Sequence, residues 1–192
     1  EIFYRLRDRD YDAPRDGYRY IPGDGASQSR AALTVYNTSH DLLTQTVGFD
    51  VGYRLPLRSK LNFEYQFEDA QRRNAAVEQT QESRATLRYR IQPWSNLNVR
   101  LELLAADRAA DTYHWDQAYY ARLDTQLINA TPQGQRYNNH PQLSQYYLSN
   151  REQWQGKADL NYLLGNNWSL NLNLLWREDD FDQSELGLTD SQ

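Results

Sequence analysis

The chain has no cysteine among its 192 residues. Disulfides, thiolate metal sites and a Cys-x-x-Cys-His segment for covalent haem attachment are therefore excluded, and any redox centre has to sit in another chain. No run of about 18 apolar residues occurs, which excludes a transmembrane helix and leaves a membrane-spanning sheet open. A basic stripe is missing too. With a net charge of -5 and a pI near 5.2, the chain does not fit a general nucleic-acid binder, whose affinity comes from phosphate neutralisation. There is no Gly-x-Ser-x-Gly elbow, phosphate loop or His-Glu-x-x-His motif, so an enzyme reading has no residues to stand on. The opening residues lack a charged-then-apolar leader, and Ile2 to Arg7 already follow a strand pattern, while Leu186 to Gln192 stop without a closing strand. The expectation is an internal piece of a larger protein.

Polarity is high, with only 39% hydrophobic residues, yet the aromatic share is 13%, with 15 Tyr against 5 Phe. Disorder does not explain this composition, because disordered chains are poor in aromatics. Tyrosine joins an apolar ring to a wet hydroxyl and suits a boundary between oil and water.

Alternation accounts for the polarity better. Val47, Phe49, Val51, Tyr53 and Leu55 interleave with Thr46, Gly48, Asp50, Gly52 and Arg54; Leu61, Phe63, Tyr65 and Phe67 interleave with Asn62, Glu64, Gln66 and Glu68. A period of two is the signature of a strand, since successive Cβ atoms leave opposite faces of the pleat. The pattern predicts seven strands, at about 1–8, 43–55, 60–69, 84–92, 97–106, 154–164 and 168–178. Most have about ten residues, close to the 9–11 that a tilted strand needs to cross a bilayer. Tight connections are expected at Pro56 to Ser59, Gln92 to Asn96 and Gly165 to Asn167, where Pro, Gly, Asn and Ser supply turn chemistry. The other connections, at about 9–42, 70–83 and 107–153, are long and polar. Short and long alternate, as periplasmic turns and extracellular loops do in outer-membrane barrels. A solenoid is a poor fit to the apparent 35–40-residue period, because the long connections differ too much to stack.

One predicted face is uncharged and rich in Leu, Val, Tyr, Phe and Trp, with Trp94, Trp168, Tyr53 and Trp176 near strand ends as candidate girdle residues. The opposite face holds Asp50, Arg54, Glu64, Glu68, Arg88, Arg90, Arg100, Glu102, Lys157, Asp159 and Arg177, with asparagines between them. Both signs occur on neighbouring strands, which predicts cross-strand ion pairs. A selective pore would show a ring of one sign, whereas a mixed lining suits contact with another polar object or a plain hydrated lumen. A soluble antiparallel sheet with one buried face alternates in the same way and stays open as an alternative.

His40, His114 and His140 fall in predicted loops without metal-ligand spacing and read as solvated. The acidic stretches Asp8-Arg9-Asp10 and Glu178 to Asp182 lack a calcium-loop frame and read as solvated strand ends. In the loop at 107–153, Tyr113, Trp115, Tyr119, Tyr120 and Tyr137 are candidates either for docking a partner or for folding the loop on itself.

Tyr146 to Gln153 (YYLSNREQ), followed by a hairpin and then Trp176 to Ser191 (WREDDFDQSELGLTDS), resembles the MtrB/PioB family of decahaem-associated outer-membrane proteins; Tyr65 to Asp69 and Ala85 to Arg90 are similar as well. The similarity covers about 43–192. It departs from the family pattern after Tyr-Leu, where Ser-Asn-Arg-Glu-Gln replaces an acidic-basic run. The resemblance implies a segment of a large antiparallel transmembrane β-barrel in the bacterial outer membrane. It further implies a scaffold, not itself redox-active, that sheathes a periplasmic multihaem c-type cytochrome for electron transfer across the membrane. An outer-surface multihaem cytochrome would be a further partner, haem c would belong to the partners, and the charged residues of the polar face would be the contact candidates. The alternatives are a general porin or outer-membrane transporter barrel, and a soluble β-rich binding domain.

Overall fold

The computed structural model describes residues 1–12, 14–19, 34–114, 117–123, 125, 129, 149–165 and 168–181. Its elements are β1 (Ile2–Arg9), β2 (Gly17–Arg19), β3 (Thr34–Tyr36), β4 (Leu42–Leu55), β5 (Ser59–Arg72), β6 (Gln79–Trp94), β7 (Leu97–Ala110), α1 (Gln117–Arg122), β8 (Arg151–Leu164) and β9 (Trp168–Asp180). Seven strands form one antiparallel sheet in the order β1-β4-β5-β6-β7-β8-β9, each paired with its neighbour in the chain apart from the inserted β2–β3 hairpin.

The register keeps oil with oil. Phe49 faces Tyr65, which faces Ala85; Leu87 faces Leu103, which faces Gly156, which faces Trp176. Direct partners in an antiparallel ladder share a face, so all of these project to one side, where Phe49 also packs its ring against Phe63 at 5.9 Å and Tyr65 at 5.8 Å. From Trp154 to Leu164 the apolar face of β8 spans ten residue steps. That is about 34 Å along the strand, or about 25 Å once tilted by about 45°, the height of the apolar band of an outer-membrane barrel.

Nothing among the described residues covers this band. Among the described residues the only buried apolar side chains are Ala70, Val77 and Ala106, none of them in the band, whereas Trp168 is 77% exposed and Leu174 59%. A soluble sheet would bury that face; a contiguous bare apolar surface of this size instead marks contact with lipid or a partner.

The short connections carry local chemistry. Leu57 and Arg58 both take left-handed backbone, at φ 60° and 53°, and the Ser59 hydroxyl donates to the Pro56 carbonyl at 2.8 Å. The second turn differs from expectation: β6 runs to Trp94, so the connection shrinks to Ser95 and Asn96, with the register shifting between Ile91 and Trp94. Pro93 has no N–H to give to the ladder, and a bulge is how a strand accommodates it. Asn96 ties this turn to β8 through bonds with Leu163 at 2.9 and 3.3 Å.

At the other end, the strands outrun the sequence expectation. β5 continues to Arg72, β6 begins at Gln79, β7 reaches Ala110 and β8 begins at Arg151. Beyond the apolar band both faces are polar, so alternation vanishes as a signal while the backbone ladder continues. The connections there also hold structure that polarity alone did not predict: the β2–β3 hairpin within 9–42 and α1 within 107–153, linked by a bridge between Val35 and Leu123. Asp41 holds three segments together. Its carboxylate accepts from the Tyr11 N–H at 3.0 Å, the Ser39 hydroxyl at 3.0 Å and Arg73 at 3.3 Å. The Tyr11 N–H, chief among these donors, holds its pKa below the usual aspartate value.

A left-handed residue other than glycine costs roughly 1–2 kcal/mol. Replacing Leu57-Arg58 with Asn-Gly, the pair suited to positive φ in hairpins, is expected to stabilise the protein by about 1–2 kcal/mol. Urea unfolding of the protein in lipid vesicles checks this, and an unchanged midpoint would show that the turn is unstrained.

Candidate functional site

The polar face is ordered in levels by the same register. Nearest the short turns, Asn98, Asn161 and Asn171 lie across β7 to β9. The next level runs Arg54, Lys60, Arg90, Arg100, Asp159; the next Gly52, Asn62, Arg88, Glu102, Lys157; and the next Asp50, Glu64, Thr86, Leu104, Gln155, Arg177. Towards the long connections follow Gly48, Gln66, Arg84, Ala106, Gln153, Asp179, then Thr46, Glu68, Glu82, Arg108, Arg151. All eleven charged residues expected on this face are on it.

In the middle levels opposite charges close into pairs. Arg88 reaches Glu64 at 2.5 Å and Glu102 at 2.9 Å, and Lys157 reaches Glu102 at 3.7 Å, so one chain of ion pairs crosses from β5 to β8. Asn62 donates to the Asp50 carboxylate. The Arg88 side chain is 44% exposed, and pairs in such solvated settings contribute at most about 1 kcal/mol.

The upper levels hold a more enclosed network. Asp179 is 3% exposed and accepts from Gln153 at 2.9 Å and from Arg177 at 2.6 and 3.2 Å. Arg151 lies 3.9 Å from Asp179 and 3.0 Å from Glu82, which also pairs with Arg84 at 2.5 Å. Arg108, between Glu82 and Arg151 in the ladder, donates to the Ser149 carbonyl at 2.8 Å. Glu82, Arg84, Arg108, Arg151 and Asp179 were not among the sequence candidates. The parity that places them on the polar face was readable, but Glu82, Arg108 and Arg151 lie where the strands had been expected to end. Asp179 also corrects the reading of Glu178 to Asp182 as a solvated strand end: its carboxylate points into the sheet's polar face and is spent there. Asp182 lies outside the described residues.

The level of Arg54, Lys60, Arg90 and Arg100 differs from the mixed lining expected from sequence. Four cations stand directly opposite one another on β4, β5, β6 and β7, all exposed, and none joins an ion pair among the described residues. Lys60 is a further residue absent from the sequence candidates. Linear sequence shows that both signs occur, but the register decides which charges meet, and here it gathers one sign.

No group of three or more His, Cys, Asp or Glu able to hold a metal exists among the described residues. His40 and His114 are exposed on separate connections, and with no cysteine the chain does not fit covalent haem. His140 lies outside the described residues, as do Trp115 and Tyr137 of the aromatic loop set.

No helix among the described residues is long and apolar enough to cross a membrane. The uncovered apolar band, the polar opposite face and the alternation of short turns with long connections define the wall of a transmembrane β-barrel. The family described as "Putative outer membrane beta-barrel porin, MtrB/PioB" matches residues 3–192, and the chain belongs to that family. It is therefore a bacterial outer-membrane barrel protein, with its short turns periplasmic and its long connections extracellular. No curated protein matches the sequence.

The two ion-pair networks are expected to respond differently to loss of one partner. Asp179→Asn removes the buried negative charge that faces Arg177 and Arg151 and is expected to cost about 3 kcal/mol or more; Arg88→Gln is expected to cost no more than about 1 kcal/mol. Unfolding midpoints in urea compare the two, and equal losses would contradict the burial difference.

Proposed function

We propose that this wall sheathes a multihaem c-type cytochrome, positioning and insulating it for electron transfer across the outer membrane. The observation that carries the reading is the polar face. It has the charge density of a protein surface and no catalytic or metal constellation among its described residues. Most of its central charges are already closed in pairs, leaving side chains for many weak contacts. Seven strands at about 4.8 Å spacing make a wall about 30 Å wide, the scale of a small protein domain. Membership of the family, and the sequence resemblance to its decahaem-associated members, supports the same reading. Haem would belong wholly to the partner, and an outer-surface multihaem cytochrome would meet the extracellular connections.

In the membrane the sheet edges at β1 and β9 require partners, since unpaired backbone groups facing hydrocarbon cost several kcal/mol each. Closing them with further strands gives a cylinder whose lumen scales with strand number. A second reading, a solute pore, has in its favour the family's description as a porin and the one-sign row of Arg54, Lys60, Arg90 and Arg100, which suits anions.

Extraction of the full-length protein from outer membranes in mild detergent is expected to bring with it a protein carrying c-type haem in near-equal amount, seen by the haem absorbance of the purified complex. The purified complex is expected to conduct ions poorly, because the partner fills the lumen. Purification without haem, together with steady conductance in planar bilayers, would favour the pore.

A further inference from the structure

We propose that the row Arg54, Lys60, Arg90 and Arg100 is a docking strip for a carboxylate-rich patch on the enclosed protein, at the periplasmic mouth of the wall. This rests on the sheath reading and adds the partner's surface chemistry and its position. Like charges directly opposite in a ladder destabilise a sheet, and this row places four cations on four adjacent strands without an ion pair among the described residues. A merely hydrated lining does not need them: on β7 to β9 the level nearest the turns is made of Asn98, Asn161 and Asn171 instead. Taken together, the two levels immediately above the row balance their charges, and the chain as a whole is acidic, at -5. The positive strip is thus a local departure from the charge of the protein that carries it.

Local packing holds one of these cations close to the sheet. A Cβ added at Gly52 would lie 3.0 Å from Lys60 Cε and 3.4 Å from Nζ, so the lysine stem lies across a glycine that leaves room for it. Asp159, next in the row after Arg100, ends the run of one sign.

The nature of the occupant follows from desolvation. A folded partner that fills the lumen displaces water from these side chains, and charges removed from water are tolerated only when compensated. No carboxylate of the described wall is placed to do so for Arg54, Lys60 or Arg90, leaving the partner to supply them. The strip spans three strand spacings, about 14 Å, which suits several carboxylates on one surface better than a single small anion. Because the strip lies at one end of the wall only, it also gives an acidic patch a preferred end to approach, as complementary potentials do in other interfaces.

The test uses the intact haem-containing complex. Treatment with a carbodiimide, which joins an amine to a carboxylate in direct contact, is expected to link Lys60 to Asp or Glu of the haem-bearing protein, located by peptide mass spectrometry. Lys157, already facing Glu102, is expected to link within the wall. Arg90→Glu with Arg100→Glu in the full-length protein is expected to lower retention of the haem-bearing protein at least tenfold in moderate salt, while the urea midpoint of the emptied barrel stays level. The proposal is overturned if the haem-bearing protein stays bound to this variant as to the parent and Lys60 in the parent complex is freely acetylated. If the parent protein holds no haem-bearing partner at all, the sheath reading fails and the docking strip with it; a loss of chloride conductance in the double variant would then assign the row to a pore.

Discussion

Pairing of the backbone through one continuous antiparallel ladder is the constraint on which everything else depends. In hydrocarbon an amide group has no water to turn to, so each strand must find its partners in its neighbours. The ladder fixes the register, and the register then fixes what each side chain meets. Outward, it sets Leu beside Leu and Trp over Gly156, whose α-carbon lies close enough to Trp176 that an added Cβ would be 3.7 Å from its ring. Inward, it sets Arg88 between Glu64 and Glu102. Neither face could be rearranged alone, because a slip of one residue would exchange them throughout the strand.

The same ladder separates the wall into zones with different physics. Across the apolar band the sheet has one oily face and one wet face, and the inward ion pairs are solvated and individually weak. Above the band both faces are polar, and side-chain bonds tie the chain together there: Asp179, enclosed, with Gln153 and Arg177, and Asp41, at the surface, with Tyr11 and Ser39. Near the periplasmic turns the charges no longer cancel. The protein therefore presents a balanced lining through its middle and a positive one at its lower mouth, an arrangement with a direction.

Much of the wall was legible in the sequence, because a period of two is visible wherever one face is apolar. Seven strands, three short connections and the facing of all eleven charged candidates followed from that parity. Legibility ended where the oil ended. Glu82, Arg108 and Arg151 continue the polar face of their strands, but with polar residues on the other face as well there was no contrast to read. In the sequence the bulge near Pro93 is indistinguishable from the turn itself, since proline and tryptophan beside serine and asparagine look like turn chemistry. The one-sign row was hidden for another reason. Arg54, Lys60, Arg90 and Arg100 are separated along the chain by loops of different length, and only cross-strand register makes them neighbours.

The measurement that tests the central claim most directly is a nitroxide scan along β7, from Leu97 to Ala105, in the membrane-embedded protein. Collision rates with oxygen, which concentrates in hydrocarbon, are expected to rise at 97, 99, 101 and 103 and to fall at 98, 100 and 102, with the opposite pattern for a water-soluble relaxant. Equal water access at both sets of positions would contradict a wall with lipid on one side and a polar interior on the other.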